Sequence, residues 1–415
     1  MTTPQRAHKR TDCRICKGTD LYCFLDLGFH PHSDQFRVSL DEPEDHYPLR
    51  LVRCRGCGFV QLDYVVPPSE LYQQDYLYES SITETGNAHW TELAGTVSNK
   101  LGLVAGDGVI DIGSNDGTLL SKFAALGLNV HGIDPCAEIA DIAIGNGIPT
   151  VKDFFSADSL RTAMNSLTNV KLITGTNVFA HIDDLDAILQ AVSTNLGDGV
   201  FVFESPYFGD FFEGLQYDTV YHQHLSYLSL RPLIPFFEKF DMTIFDVDRT
   251  TIHGGSFRVY AGRGRQRTAA VEAMLASEQF NDANMDAFAV RVRQNRDDLF
   301  ELIYSLWKQG KSIAAVSCPA KGQTLLNYTG VGRFLDFATD KSKLKQGRYT
   351  PGTHIRIYSD EALIERQPDY ALLLAWNFAD EIIRNNATYR GRWIIPIPHP
   401  TIRELGGSTA THPGA

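Results

Sequence analysis

The segment VIDIGSNDGTLL (109–120) constrains the fold more than any other part of the chain. A strand-like run, apolar apart from Asp111, enters a glycine turn, and a helical pattern follows. Gly113 and Gly117 leave the backbone of that turn open to close approach by a ligand. The spacing is not the G-x-G-x-x-G of a dinucleotide site, and no lysine phosphate loop occurs. Strand-like runs recur at LNVHGID (128–134), VKLITGTNV (170–178) and GVFVFESP (199–206), with helical stretches between them. This alternation predicts an α/β fold, a mostly parallel sheet with helices on both faces. In such sheets ligands sit at the carboxyl ends of the strands. Asp134 ends the second run, where a carboxylate can accept two hydrogen bonds from a ribose diol. Asp153, in TVKDFF, follows the next short run and can meet an adenine amino group.

This ordered set resembles the binding motifs of Rossmann-like class I S-adenosylmethionine (SAM) methyltransferases. The resemblance implies SAM as cofactor, with Asp111, Gly113, Asn115, Gly117, Asp134, Asp153 and Asn177 as its candidate contacts.

Four of the seven cysteines form two C-x-x-C pairs, Cys13/Cys16 and Cys54/Cys57. Each pair can hold one edge of a tetrahedral ion, and together they make a closed four-thiolate zinc site. With no open coordination position, that zinc organises structure rather than chemistry. The long stretch between the pairs must fold as an insertion. Arg53 and Arg55 flank the second pair, where positive charge favours thiolates. Cys23, Cys136 and Cys318 have no partner in the pattern and read as buried packing residues.

Lys and Arg number 38 and Asp and Glu 50, a net charge of −12 that argues against a nucleic-acid partner. No apolar run approaches the ~20 residues needed to span a bilayer. The start, MTTPQRAHKRTD, lacks the apolar core of a signal peptide, so the expected setting is cytoplasmic. From about 270 to 310 the pattern becomes one long amphipathic helix or two. Strand-like runs then resume at KSIAAVSCP (311–319), RFLDFATD (333–340), DYALLLAWN (369–377) and RWIIPIP (392–398), a second α/β unit.

Further segments are CRIC…CRGCGFVQL, TNVFAHIDDLD (176–186), YDTVYHQHLSYLSL (217–230), CPAKGQTLLNY (318–328), LKQGRYTPGTH (344–354) and AWNFADEI (375–382). With these the chain, from residue 11 to about 403, resembles the nucleotide-sugar 3-C-methyltransferases of deoxysugar biosynthesis. The resemblance implies a zinc-binding domain over 1–80, a SAM-dependent methyltransferase domain over 81–260 and a C-terminal α/β domain over 261–415. It also implies a 4-keto sugar carried on dTDP, bound in the cleft between the last two domains and methylated at ring carbon 3. The family's motif usually reads Tyr-His-Glu-His, whereas here it is Tyr221-His222-Gln223-His224. A glutamine keeps a hydrogen bond but carries no charge and takes no proton.

Carbon 3 becomes a nucleophile only as an enolate, so the protein must supply a base and a donor to the ketone oxygen. The resemblance puts the base at His224, a residue type that titrates near neutrality. Tyr221 can donate to the enolate oxygen, and Gln223 would orient one of the two. His181 and Tyr76 resemble pocket residues and are the runners-up for proton transfer; His222 reads as structural. CPAKGQT reads as a strand-to-helix turn offering backbone N–H groups to an anion, with Lys321 adding charge and Gln323 and Asn327 facing the same cleft. Lys345, Arg348 and Tyr349 form a second local basic patch for the nucleotide. An epimerase would use the same enolate without the cofactor motif. A zinc-ribbon adaptor fits the negative charge poorly. With no heptad seam, the chain is expected to be a monomer.

Overall fold

A computed structural model of the chain describes residues 6–72 and 84–404. Its central sheet has seven strands: β1 (Gly108–Ile112), β2 (Asn129–Asp134), β3 (Thr150–Lys152), β4 (Val170–Thr176), β5 (Val200–Pro206), β6 (Thr243–Thr250) and β7 (Ser256–Gly262). They lie in the order β6-β7-β5-β4-β1-β2-β3. β7 pairs antiparallel with both its neighbours, while β1 to β5 are parallel. This is the Rossmann-like methyltransferase order. Side-chain alternation gives the sheet two cores. Val109, Leu172, Val200 and Val202 pack with helix Glu84–Leu101 on one face. Ile110, Ile173, Phe201 and Phe203 pack with helices Ala157–Asn165 and Leu185–Leu196 on the other.

A six-stranded C-terminal sheet follows: β8 (Ile313–Val316), β9 (Phe337–Thr339), β10 (Ile357–Tyr358), β11 (Tyr370–Leu373), β12 (Arg392–Ile395) and β13 (Thr401–Arg403). Its order is β10-β9-β8-β11-β12-β13, and only β13 pairs antiparallel. Strand order reverses between β8 and β11, which opens a crevice at their carboxyl ends. The amphipathic stretch before this sheet is two helices, Ala269–Ser277 and Asp282–Lys308.

The N-terminal part is a four-stranded antiparallel sheet of Leu21–His30, Tyr47–Cys54, Val60–Leu62 and Ser226–Tyr227. The last strand arrives from the methyltransferase segment and pairs with Val60 and Gln61. One apolar core therefore joins all three parts, with Leu51 and Val60, Tyr217 and Val220, and Leu325 and Leu372 in a single cluster. Cys318 is buried and Cys136 half-buried, but Cys23 is exposed, because strand alternation turns it outward. Among the described residues, no helix is long and apolar enough to cross a membrane.

Candidate active site

The segment 217–224 lies where the three parts meet. The C-terminal and N-terminal parts both hold it by long-range hydrogen bonds. Tyr217 donates its hydroxyl to Asn295 Oδ1 at 2.7 Å. Trp376 Nε1 donates to Asp218 Oδ2 at 2.6 Å, and Thr324 Oγ1 to the Val220 carbonyl at 2.7 Å. From the N-terminal side Asp34 accepts from Gln223 Nε2 at 3.0 Å.

Held this way, the segment turns at 221–224 and brings Tyr221 and His224 together. Their rings are 3.9 Å apart, and the Tyr221 hydroxyl lies 2.7 Å from His224 Nε2. His224 Nδ1 is 2.8 Å from the Thr219 carbonyl, which only accepts, so Nδ1 carries the proton. Nε2 is then a lone pair, and Tyr221 donates to it. Burial, and then His181, hold the His224 pKa well below the ordinary histidine range. The His181 ring sits 4.9 Å from that of His224, and burial lowers its pKa to about 4. Both rings are therefore neutral at neutral pH. His224, Thr219, Ala180, Ser205 and Tyr207 line one cavity at the carboxyl end of β5.

Gln223 does not orient either member of the pair, contrary to the sequence expectation. Its amide reaches out to Asp34, because the 221–224 turn points successive side chains apart. His222 faces away as expected, fully buried against His32 and Tyr47. Tyr76 lies outside the described residues.

The cofactor-motif residues gather at the carboxyl ends of β1, β2 and β4. Gly113, Asn115, Gly117 and Asn177 all adopt positive φ, from 51° to 78°. Packing excludes a side chain at Gly113, where a Cβ would lie 2.3 Å from Val178, and leaves only a tight 3.1 Å to Ile148 at Gly117. Asp134 accepts from Asn115 N at 2.8 Å and Cys136 N at 2.9 Å, one per oxygen. Each oxygen keeps a lone pair for a ribose hydroxyl. Asn177 Oδ1 is buried without a hydrogen-bond partner at the same strand ends. This donor and acceptor set fits SAM. Asp111 is buried beneath the turn and accepts from Thr174 Oγ1 at 2.7 Å; burial raises its pKa to about 7. Asp153 is exposed after β3 and accepts from the Phe154 N–H at 2.8 Å.

The four cysteines converge, with all Sγ atoms within 4.8 Å of one another. Cys13 Sγ is 3.6 Å from Cys57 Sγ, and Cys16 Sγ 3.5 Å from Cys54 Sγ. Four thiolates at about 2.3 Å from a central ion have edges of about this length, so the set fits tetrahedral zinc. Arg53 and Arg55 serve another purpose than expected. Both pair with Asp282 at the start of the long helix, at 3.0 and 2.7 Å.

The expected nucleotide contacts need more correction. Lys321 is not a free cation: its ammonium donates to Asn377 Oδ1 at 2.5 Å, stands 4.0 Å from Asp218 Oδ2 and lies 4.2 Å over the Trp376 ring. Burial lowers its pKa to about 8. Asn327 is committed to backbone, donating to the carbonyls of Gln323 at 2.8 Å and Pro351 at 3.1 Å. Lys345 donates to the Cys318 carbonyl at 2.8 Å and Arg348 to that of Phe36 at 3.2 Å; Tyr349 bridges to Arg37. This patch fastens the C-terminal part to the N-terminal one. Gln323 is buried with its Oε1 unpartnered.

His253, in TIHGG, sits at φ 56° just before two positive-φ glycines, near Glu204, His89 and Lys321. Glu204 is fully buried between His89 Nε2 at 2.6 Å and Arg258 Nε at 3.0 Å.

Three family models match in succession: one described as "Putative zinc binding domain" over 13–72, a methyltransferase domain over 88–247, and a C-methyltransferase C-terminal domain over 251–398. The C-methyltransferase NovU of Streptomyces niveus is 34% identical over 405 residues, 94% of this chain and 96% of that protein. A ubiquinone biosynthesis O-methyltransferase of Cupriavidus pinatubonensis is 32% identical over 106 residues, 25% of this chain and 42% of its own length. Among solved structures, the magnesium protoporphyrin IX methyltransferase of Synechocystis with bound SAH is 12% identical, covers 45% of this chain and 90% of that one, and has a TM-score of 0.35. The end-to-end match with NovU shows that this chain belongs to the same family, the SAM-dependent C-methyltransferases with a zinc-binding N-terminal part.

Proposed function

We propose that the enzyme methylates ring carbon 3 of a dTDP-linked 4-keto deoxysugar through an enolate generated by the His224–Tyr221 pair. The observation that carries this reading is the protonation geometry of the pair. Thr219 fixes the proton on Nδ1 and leaves Nε2 as a lone pair, while burial keeps the ring neutral. A neutral histidine with an oriented lone pair is a base.

SAM, when bound against Asp134, Asn115 and Asn177, supplies the methyl as an electrophilic sulfonium. The chain's own residues do the rest. A ketone oxygen near Tyr221 draws its hydroxyl off His224 Nε2. That one rotation gives the oxygen its donor and exposes the base. Nε2 takes the proton from carbon 3, and the negative charge moves to the oxygen that Tyr221 faces. A donor of this kind is worth about 10²–10³ in rate. The imidazolium, once formed, keeps its Nδ1 bond to Thr219 and does not change orientation. His181, neutral and beside His224, adds no charge that would oppose the new proton.

The nucleotide end belongs at the crevice of β8 and β11. Support comes from the reversal of strand order there and from Gln323 Oε1 and Asp218 Oδ1, both buried without partners. Membership of a C-methyltransferase family sets the epimerase reading aside.

The test is to incubate the enzyme with SAM and a dTDP-4-keto-6-deoxy sugar and to locate the new methyl by NMR. A methyl on carbon 3 is expected. A methyl on oxygen, or no product from an enzyme that binds SAM, contradicts the reading.

A further inference from the structure

Arg14 stands between Cys13 and Cys16, inside the first zinc-binding knuckle. Its side chain is fully buried, which for an arginine demands a reason. Its Nε lies 2.9 Å from Asp183 Oδ1, and Nη1 donates to the Leu62 carbonyl at 2.7 Å. Asp183 is two residues beyond His181 and immediately precedes Asp184, the N-cap of helix Leu185–Leu196. Arg10 Nη1 reaches the same Asp183 oxygen at 2.8 Å.

The knuckle is itself immobilised from the methyltransferase side. Lys239 Nζ donates to the Ile15 carbonyl at 2.7 Å, and Lys17 pairs with Asp186. Cys13, Ile15 and Cys54 share an apolar core with Phe179, Ala180 and Leu185, the residues on either side of His181. The Arg14 backbone N–H also donates to Gln61 Oε1 at 2.8 Å, so the guanidinium starts from a fixed point.

We propose that Arg14 makes the zinc knuckle a positioning element for the active site, holding Asp183 and so the turn that sets His181 against His224. Arg14 is a positioning residue, since it acts on His181 through Asp183. The zinc-binding part then does more than stabilise the fold: four thiolates that fit one ion keep Arg14 in place, and Arg14 keeps the turn in place. The reading of the enzyme as a C-methyltransferase of the stated sugar enters only where kcat is measured.

The test compares wild type with R14M, R14K and D183A. Zinc per chain is measured by elemental analysis and SAM affinity by calorimetry. Two readouts follow: amide hydrogen exchange over residues 178–184, and kcat with KM. D183A is expected to keep its zinc, to bind SAM within about twofold of wild type and to exchange faster across that turn. Its kcat is expected to fall about tenfold or more, with KM within about threefold. R14M should behave alike, and R14K should recover part of the kcat because it restores a charge toward Asp183. If R14M fails to fold or to load zinc, D183A carries the test, because it leaves every knuckle residue in place. Unchanged exchange and unchanged kcat in zinc-loaded D183A would overturn the proposal. A wild type inactive on the sugar counts against the functional reading alone, because exchange across the turn still decides whether Arg14 holds it.

Discussion

The Gln223 amide donates to Asp34 Oδ2 at 3.0 Å across the boundary between the methyltransferase segment and the N-terminal sheet. Gln223 is buried and Asp34 half-buried, and desolvation raises the Asp34 pKa. The pair is one carboxyl group and one neutral amide, so it holds a single titrating site.

Q223E puts a second carboxylate against Asp34. Two carboxyl groups at that separation must share a proton, so one of them acquires a strongly raised pKa. A raised folded-state pKa gives stability at low pH that is lost as pH rises through it. The Tm of Q223E is therefore expected to fall relative to wild type as pH rises. Adding D34N should remove that slope, since it restores one acid and one amide. Thermal scans across pH check this; parallel curves for Q223E and wild type would contradict it.

Y221F removes the donor that faces His224 Nε2 while leaving the imidazole in place. A drop in kcat of about 10²–10³ is expected, with a much smaller change in KM. Steady-state kinetics decide. A loss confined to KM would make Tyr221 a binding residue only.

Asp111, raised to about 7 by burial with a smaller contribution from Asp134, penalises the folded state once it ionises. Stability attributable to it is present at about pH 4 and lost as pH rises through about 7. D111N keeps an acceptor for Thr174 and has no charge to bury. It should be more stable than wild type at pH 8, by roughly 1–3 kcal/mol, with the difference vanishing near pH 4. Chemical denaturation at the two pH values measures this.

Removal of zinc should destabilise more than the N-terminal sheet. Cys13 and Cys54 are fully buried in the core that also holds Phe179 and Leu189. Four converging thiols, two of them buried, lose their organising partner without an ion, at a cost of several kcal/mol. Calorimetry with and without chelator should show one lowered transition that includes the methyltransferase sheet. An unchanged main transition would show that the knuckle is peripheral.

Short-range patterns carried most of what was legible in the sequence. VIDIG reads as a strand because a parallel strand covered on both faces is mostly apolar, and all five residues of β1, Asp111 included, are buried. The cysteine pairs read as zinc ligands because their spacing is local. The failures share one cause. Gln223–Asp34, Arg14–Asp183 and Trp376–Asp218 join residues 189, 169 and 158 positions apart, and no periodicity announces such partners. Lys321, Lys345 and Arg348 looked like free cations for a phosphate because their partners lie elsewhere in the chain.

The central claim is that His224 removes a proton from a carbon before any methyl is transferred. Incubating the enzyme with the 4-keto sugar nucleotide in heavy water, without SAM, tests this most directly. Wild type is expected to incorporate deuterium at carbon 3, and H224A to incorporate none above the uncatalysed background. Exchange that survives in H224A, with the variant folded and zinc-loaded, would contradict the account.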